Sequence, residues 1–326
     1  MTEASVADQV DIFRERFDRI VHEVSRRIVG QDEVVRFTVI SLLAGGHVLL
    51  EGIPGVGKTS LVRALADVLH LRFSRIQFTP DLMPADIVGT NIVQEHAHGG
   101  TFFEFQPGPI FANLVLADEI NRATPRTQSA LLEAMQDVSV TVGKTTYPLE
   151  QPFLVLATQN PREMEGTYPL PEAQLDRFFF KLRVGYPDEA AIHEILHRVA
   201  QGTADVARVM DAPEILEMRQ VARSVPIAGP VQSYAVRLTL ATHPDAPQAP
   251  PLVKRYVRYG ASPRAALALV LGGKIHALTR GRPFVSVEDI QAVAFPALRH
   301  RLLLGFEGEV ERIEPDALIR ELIAAS

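Results

Sequence analysis

Eight consecutive residues, Gly52-Ile53-Pro54-Gly55-Val56-Gly57-Lys58-Thr59, fit the spacing G-x-x-x-x-G-K-[ST]. The apolar run HVLLE precedes them, and a helical pattern of Leu61, Val62, Leu65, Val68 and Leu69 follows. In that context glycines let backbone N–H groups turn inward around phosphates, and the helix N-terminus adds a favourable dipole. Gly52, Pro54, Gly55, Val56, Gly57 and Ser60 then form the cradle, Lys58 reaches the β- and γ-oxygens, and the Thr59 hydroxyl ligates Mg²⁺. A loop so built takes a triphosphate, with ATP the expected ligand.

Two further constellations complete a hydrolytic site. Leu114-Val115-Leu116-Ala117-Asp118-Glu119 is an apolar strand ending in two acids, and nothing structural favours carboxylates at the mouth of a parallel sheet. Asp118 would hold Mg²⁺ through its water shell, and Glu119 would orient and activate the attacking water. Read alone, the pair is an acidic helix N-cap. The run Phe153–Thr158 ends in Gln159-Asn160, which lands a neutral amide beside the γ-phosphate if the strands are neighbours. Read alone, Asn160 before Pro161 is a turn residue.

Those groups need a scaffold that gathers three strand ends at one edge. From Ile28 to Pro187, short β-rich runs alternate with helical patterns, the signature of an α/β fold whose parallel sheet is flanked by crossover helices. After Pro187 helical patterns take over, so residues 1–187 are expected to form the core with its N-terminal helix and 188–326 an all-helical lid. Prolines 244, 247, 250 and 251 put a loop inside the lid. Near the start, Val10, Phe13, Phe17, Ile20, Val21 and Val24 recur at helical spacing, giving an amphipathic helix and not a leader.

Composition narrows the function classes. With 47% hydrophobic and 22% charged residues the 326-residue chain is ordinary for a folded protein. A net charge of −6 supplies no basic field for nucleic acid or anionic membrane, so nucleic acid is an unfavoured partner. Zero cysteines remove disulfides, thiolate metal sites and cysteine nucleophiles, and make the cytoplasm the expected location. The longest apolar runs fall far short of the roughly 20 residues that cross a bilayer.

The stretches FTPDLMPADIVG, FQPGPIFANLVLADEINRATPRTQSALLEAMQD and EGTYPLPEAQLDRF, in that order and spacing, resemble the signatures of the MoxR family of AAA+ ATPases, from about Ile28 to Ala268. The resemblance implies an AAA+ P-loop NTPase core with a helical lid. Ile28-Val29-Gly30-Gln31 would be the adenine-side segment, Glu119 the catalytic acid and Asn160 the first sensor. Arg177 would be an arginine finger offered to the neighbouring subunit, and Arg264 in ASPRA a second sensor acting in cis. Arg122 would face the neighbour's γ-phosphate or brace the sheet edge. A shared finger implies a homo-oligomeric ring, a hexamer.

The family further implies an ATP-driven, chaperone-like action on a partner protein carrying a von Willebrand A type domain, sometimes in metal-cofactor maturation. A chelatase-type motor subunit and a nucleic-acid remodelling ATPase are the alternatives. Two insertions resemble substrate-touching pore hairpins. One is Ile87–Phe105, with the polar tip His96–Gly100 on apolar stems Ile87-Val88 and Phe102-Phe103; the other is Val138–Leu149, with Gly143-Lys144 at its turn.

One motif competes for attention. His193-Glu194-Ile195-Leu196-His197 fits H-E-x-x-H, a zinc-protease spacing. Ile192, Ile195, Leu196 and Val199 read instead as the buried stripe of an ordinary lid helix, and the pair His96 and His98 lacks further ligands.

Overall fold

The computed structural model describes residues 6–95, 100–160, 166–202 and 205–326. Residues 96–99 of the expected polar tip, with His96 and His98, lie outside them. The core runs α1 (Val6–Ser25), α2 (Asp32–Ala44), β1 (Val48–Glu51), α3 (Lys58–Val68), β2 (Phe73–Gln77), α4 (Pro84–Val88), β3 (Gly89–Glu95), β4 (Thr101–Pro107), β5 (Leu114–Asp118), α5 (Pro125–Asp137), β6 (Ser139–Val142), β7 (Thr145–Pro148), β8 (Leu154–Gln159), α6 (Glu172–Leu175) and β9 (Phe180–Arg183).

Five strands pair in parallel in the order β2-β5-β8-β1-β9. The inner strands are apolar on both faces because each face meets a separate core. Val48, Leu50, Leu114, Leu116, Leu154 and Leu156 face the side covered by α1–α3, and Leu49, Val115, Ala117, Val155 and Ala157 face α5. The expected stripe of α1 is buried at Val10, Phe13, Phe17, Ile20 and Val24.

Both insertions are antiparallel hairpins, β3 with β4 and β6 with β7. The anchoring matches expectation only in part. Ile87 is fully buried and Val88 packs on the same core, as expected of a stem, whereas Phe103 is 76% exposed. Position along the strand is the reason: Phe103 and Phe105 share a face, but only Phe105, nearer the foot, reaches the second hairpin, where it stacks on Tyr147 of β7 with ring centroids 4.0 Å apart. One hairpin therefore braces the other.

Beyond β9 come α7 (Glu189–Gln201), α8 (Ala212–Ser224), α9 (Gly229–Leu240), α10 (Pro251–Tyr256), β10 (Val257–Tyr259), α11 (Pro263–Thr279), α12 (Val287–Leu298), β11 (Leu303–Leu304), α13 (Phe306–Val310) and α14 (Pro315–Ala325). This part is not all helix, because β10 pairs antiparallel with β11. Val257 and Tyr259 are β-formers closed off by Gly260, and the Tyr256 carbonyl at the end of α10 accepts from Gly305 N at 2.7 Å. Runs of two and three residues are too short to show as strands in a sequence pattern.

His47 anchors the foot of β1. Val155 N of β8 donates to its Nδ1 at 3.0 Å, so Nε2–H donates to the Met135 carbonyl of α5 at 3.0 Å. Burial, reinforced by the charge of Arg219 and opposed by the Met135 bond, pushes the imidazole down to about 4. The unfolded chain therefore binds a proton on His47 that the native state refuses between its ordinary value near 6.5 and about 4. Stability contributed above pH 6.5 is lost as pH falls through that window. In urea titrations the stability difference between wild type and His47→Asn should shrink by about 3 kcal/mol from pH 7 to pH 4. A difference independent of pH would contradict this account.

Candidate active site

Register puts the chemistry at one sheet edge. β5 lies beside β8 and β8 beside β1, with Ala117 opposite Ala157 and Glu51 opposite Gln159. The phosphate-loop motif, Asn160 and the Asp118-Glu119 pair thus leave three adjacent strands at their C-terminal ends, where ligands bind in open α/β sheets. Gly52 N donates to the Gln159 carbonyl at 3.1 Å, tying loop to sensor strand.

Residues 52–57 form the loop, and α3 begins at Lys58. Gly55 and Gly57 have φ of +83° and +86°, open to glycine and strained for other residues. Lys58 Nζ donates to the Gly52 carbonyl at 2.6 Å, across the concavity. Thr59 is half-buried and Ser60 exposed in the first turn of α3. Pro54 and Val56 sit between the glycines on the rim.

Glu119 takes φ +57°, a costly conformation for glutamate that recurs at functional sites. Its N–H donates to Thr158 Oγ1 at 2.8 Å, and Thr158 Oγ1 donates to Asp118 Oδ1 at 2.7 Å. Buried Gln128 of α5 fixes the turn beyond it through Nε2 contacts to the carbonyls of Ile120 and Ala123. The Glu119 carboxylate accepts from Gln77 Nε2 at 3.0 Å and lies 3.2 Å from Arg122 Nε. In this structure Arg122 is thus a partner of Glu119 in its own chain.

Asp118 Oδ2 accepts from Arg75 Nε at 3.1 Å and Nη2 at 2.7 Å. Arg75, Gln77, Thr158 and Gln128 were not foreseen from sequence. For Gln77 the signal lies in the register, which sets it opposite Asp118. The Thr59 hydroxyl and the Asp118 carboxylate are hard oxygen donors of the kind Mg²⁺ takes, and they fit that ion with Arg75 swung aside.

Gly30 has φ +72°, and a Cβ there would stand 2.9 Å from Ala191 of α7, so the Val29–Gln31 segment runs against the lid. Gln31 Nε2 donates to the Gly185 carbonyl at 2.9 Å. Arg177 follows α6, with Nη1 donating to the Leu132 carbonyl of α5 at 2.9 Å and a buried Nε that has no hydrogen-bond partner among the described residues. Arg264 opens α11 and lies 3.2 Å from Asp176. Neither arginine contacts the 52–59 loop among the described hydrogen bonds; both meet at the Asp176-Arg177 segment.

The H-E-x-x-H residues lie on α7. His193 is 77% exposed on its side chain, and Glu194 is paired with Arg198 at 2.6 Å. The expected buried stripe is corrected: Leu196 and Val199 are exposed, at 61% and 75%. Ile192 and Ile195 are half-buried beside buried Ala191, and Arg198 ties the helix to the Ser25 carbonyl at 3.0 Å, so the packed face is narrower than the spacing implies.

Comparisons with known proteins agree with this architecture. Residues 47–180 match the model of the ATPase family associated with various cellular activities (AAA), and residues 251–322 the AAA lid domain. The chain is 44% identical to Chaperone MoxR1 of Mycobacterium tuberculosis, over 94% of this chain and 80% of that protein. It is 32% identical to Protein MoxR of Methylorubrum extorquens, over 94% of this chain and 93% of the relative. A solved structure assigned as an ATPase, from Cytophaga hutchinsonii, superimposes with a TM-score of 0.89 at 41% identity, covering 98% of this chain and 96% of that one. A phosphate-loop sheet edge, a helical lid and relatives matched along nearly the whole chain converge, and the chain belongs to the MoxR family of AAA+ ATPases.

Proposed function

We propose that this ATPase is a ring, most simply a hexamer, that hydrolyses ATP between subunits to remodel or activate a partner protein bearing a von Willebrand A type domain. The observation that carries the hydrolytic part is the adjacency of β1, β8 and β5, which brings Lys58, Asn160 and Glu119 to one edge. Lys58 and the loop amides hold the β/γ-phosphates, with the Val29–Gln31 segment on the adenine side. Glu119 takes a proton from the attacking water, which Asn160 orients. Thr59 and Asp118 would hold Mg²⁺, which when bound supplies charge neutralisation on the phosphate oxygens. Arg264 reaches the nucleotide in cis, Arg177 completes the neighbour's site in trans, and the core ends at about residue 187.

The partner reading rests on the family resemblance and on the paired hairpins, whose exposed Phe103 and Val93 offer an apolar grip. A cytoplasmic location accords with the absence of cysteine, and no described helix is long and apolar enough to cross a membrane.

The test uses Glu119→Gln as bait, since it should hold ATP without turning over. A von Willebrand A type protein should be retained at least about tenfold better with ATP than with ADP, a difference of 1.4 kcal/mol. Equal retention in the two nucleotides, or retention of nucleic acid in its place, would overturn the reading.

A further inference from the structure

Asp176, the residue before Arg177, is the most heavily bonded carboxylate between core and lid. Ser262 Oγ lies within hydrogen-bond reach of both its oxygens, at 2.9 and 2.8 Å. Arg264 Nη1 donates to it at 3.2 Å and Arg301 Nε at 2.9 Å. Burial works to raise this carboxyl, but the bonds from Ser262, Arg301 and Arg264 outweigh it and hold the group below its ordinary value. It stays charged, and each partner keeps its grip.

Two sets of lid residues meet the segment around Asp176. Arg299, His300 and Arg301, just past α12, clamp the backbone on which Arg177 sits. Arg299 Nη1 donates to the Lys181 carbonyl at 2.9 Å, and His300 Nε2 lies 2.9 Å from the Phe178 carbonyl. Buried Arg301 donates to the carbonyls of Asp176 at 3.1 Å and Phe178 at 2.7 Å. That set is fixed. The other set belongs to the start of α11: Ser262 is its N-cap, accepting from Arg264 N at 3.1 Å, and the Arg264 side chain is half-exposed and free to leave. Arg177 is itself poorly satisfied, since its buried Nε lacks a partner among the described residues and an orphaned donor is costly.

We infer that Asp176 is a positioning residue that ties the arginine reading a subunit's own nucleotide, Arg264, to the arginine the same subunit presents to its neighbour, Arg177. This rests on the cis and trans roles proposed above. A γ-phosphate, with its larger charge, draws the Arg264 guanidinium away from its single Nη1 contact with Asp176. When it leaves, the carboxylate keeps Arg301 and Ser262, and any shift of α11 is passed through Ser262 to the turn carrying Arg177. Nucleotide in one site thereby sets the finger of the next.

The test uses Asp176→Asn in the full-length protein. ATP affinity should stay within about threefold of wild type, while kcat falls on the order of 10²-fold, the scale of a misplaced catalytic group. The damage should act on the neighbour, so mixing Asp176→Asn with Glu119→Gln should restore turnover: the Asp176→Asn subunit keeps its own base and borrows a sound finger. Ser262→Ala, which removes only a hydroxyl, should show the same rescue with a smaller loss and decides the matter if Asp176→Asn does not fold. Loss without rescue, while Arg177→Ala is rescued under the same conditions, overturns this inference alone. Failure of Arg177→Ala to be rescued overturns the finger reading beneath it.

Discussion

Glu119→Gln is expected to bind ATP like wild type and to hydrolyse it about 10²- to 10⁴-fold more slowly, the usual contribution of a positioned base. The substitution keeps the side chain's shape and its reach toward Gln77 and Arg122, so the strained backbone at φ +57° need not move. What is removed is the carboxylate charge, and with it the proton-accepting power and the ion pair with Arg122. Lys58→Ala should do the reverse and lose nucleotide binding itself, because recognition of phosphate charge and activation of water are assigned to different groups. Equilibrium binding with a fluorescent ATP analogue and single-turnover phosphate release separate the two. Normal turnover in Glu119→Gln would remove it as the base.

The second large effect is at Arg177. Arg177→Ala should leave ATP binding nearly intact and slow hydrolysis by about 10³-fold or more, in line with other arginine fingers. The resting contact with the Leu132 carbonyl is one neutral-acceptor bond at 2.9 Å. Exchanging that neutral acceptor for an anionic phosphate oxygen is favourable, since it adds the attraction of opposite charges and permits a bidentate contact. A fall in ATP affinity with unchanged kcat would place Arg177 in ground-state binding instead.

How much of this was readable in the sequence depended on the range of the forces involved. The phosphate loop was legible because eight neighbouring residues, between a strand and a helix, specify their own backbone. The α1 stripe was legible because one apolar face of a 3.6-residue repeat buries itself. Asn160 was legible only on the condition that β8 lies beside β5 and β1, which sheet order satisfies. Arg75 and Gln77 were invisible because the run around them reads merely as strand; their chemistry appears when β2 pairs with β5, which sets Gln77 opposite Asp118 and Arg75 two residues back, within side-chain reach of it. Asp176 was passed over for the same reason, since its partners lie 86 to 125 residues away. The edge of α7 shows the opposite case, where apolar spacing overstates burial, because Leu196 and Val199 lie beyond the face that packs.

That sites are shared between subunits is the claim on which finger, ring and the role of Asp176 all depend. Its most direct measurement is phosphate release from mixtures of Glu119→Gln and Arg177→Ala at varied ratios and constant total protein. Each variant alone lacks one half of every site, but a mixed ring pairs an intact Glu119 with an intact Arg177 at some boundaries. Activity should rise from near zero at both ends to a maximum between them. Activity that stays near zero at every ratio, with both variants shown to assemble together, would contradict the account.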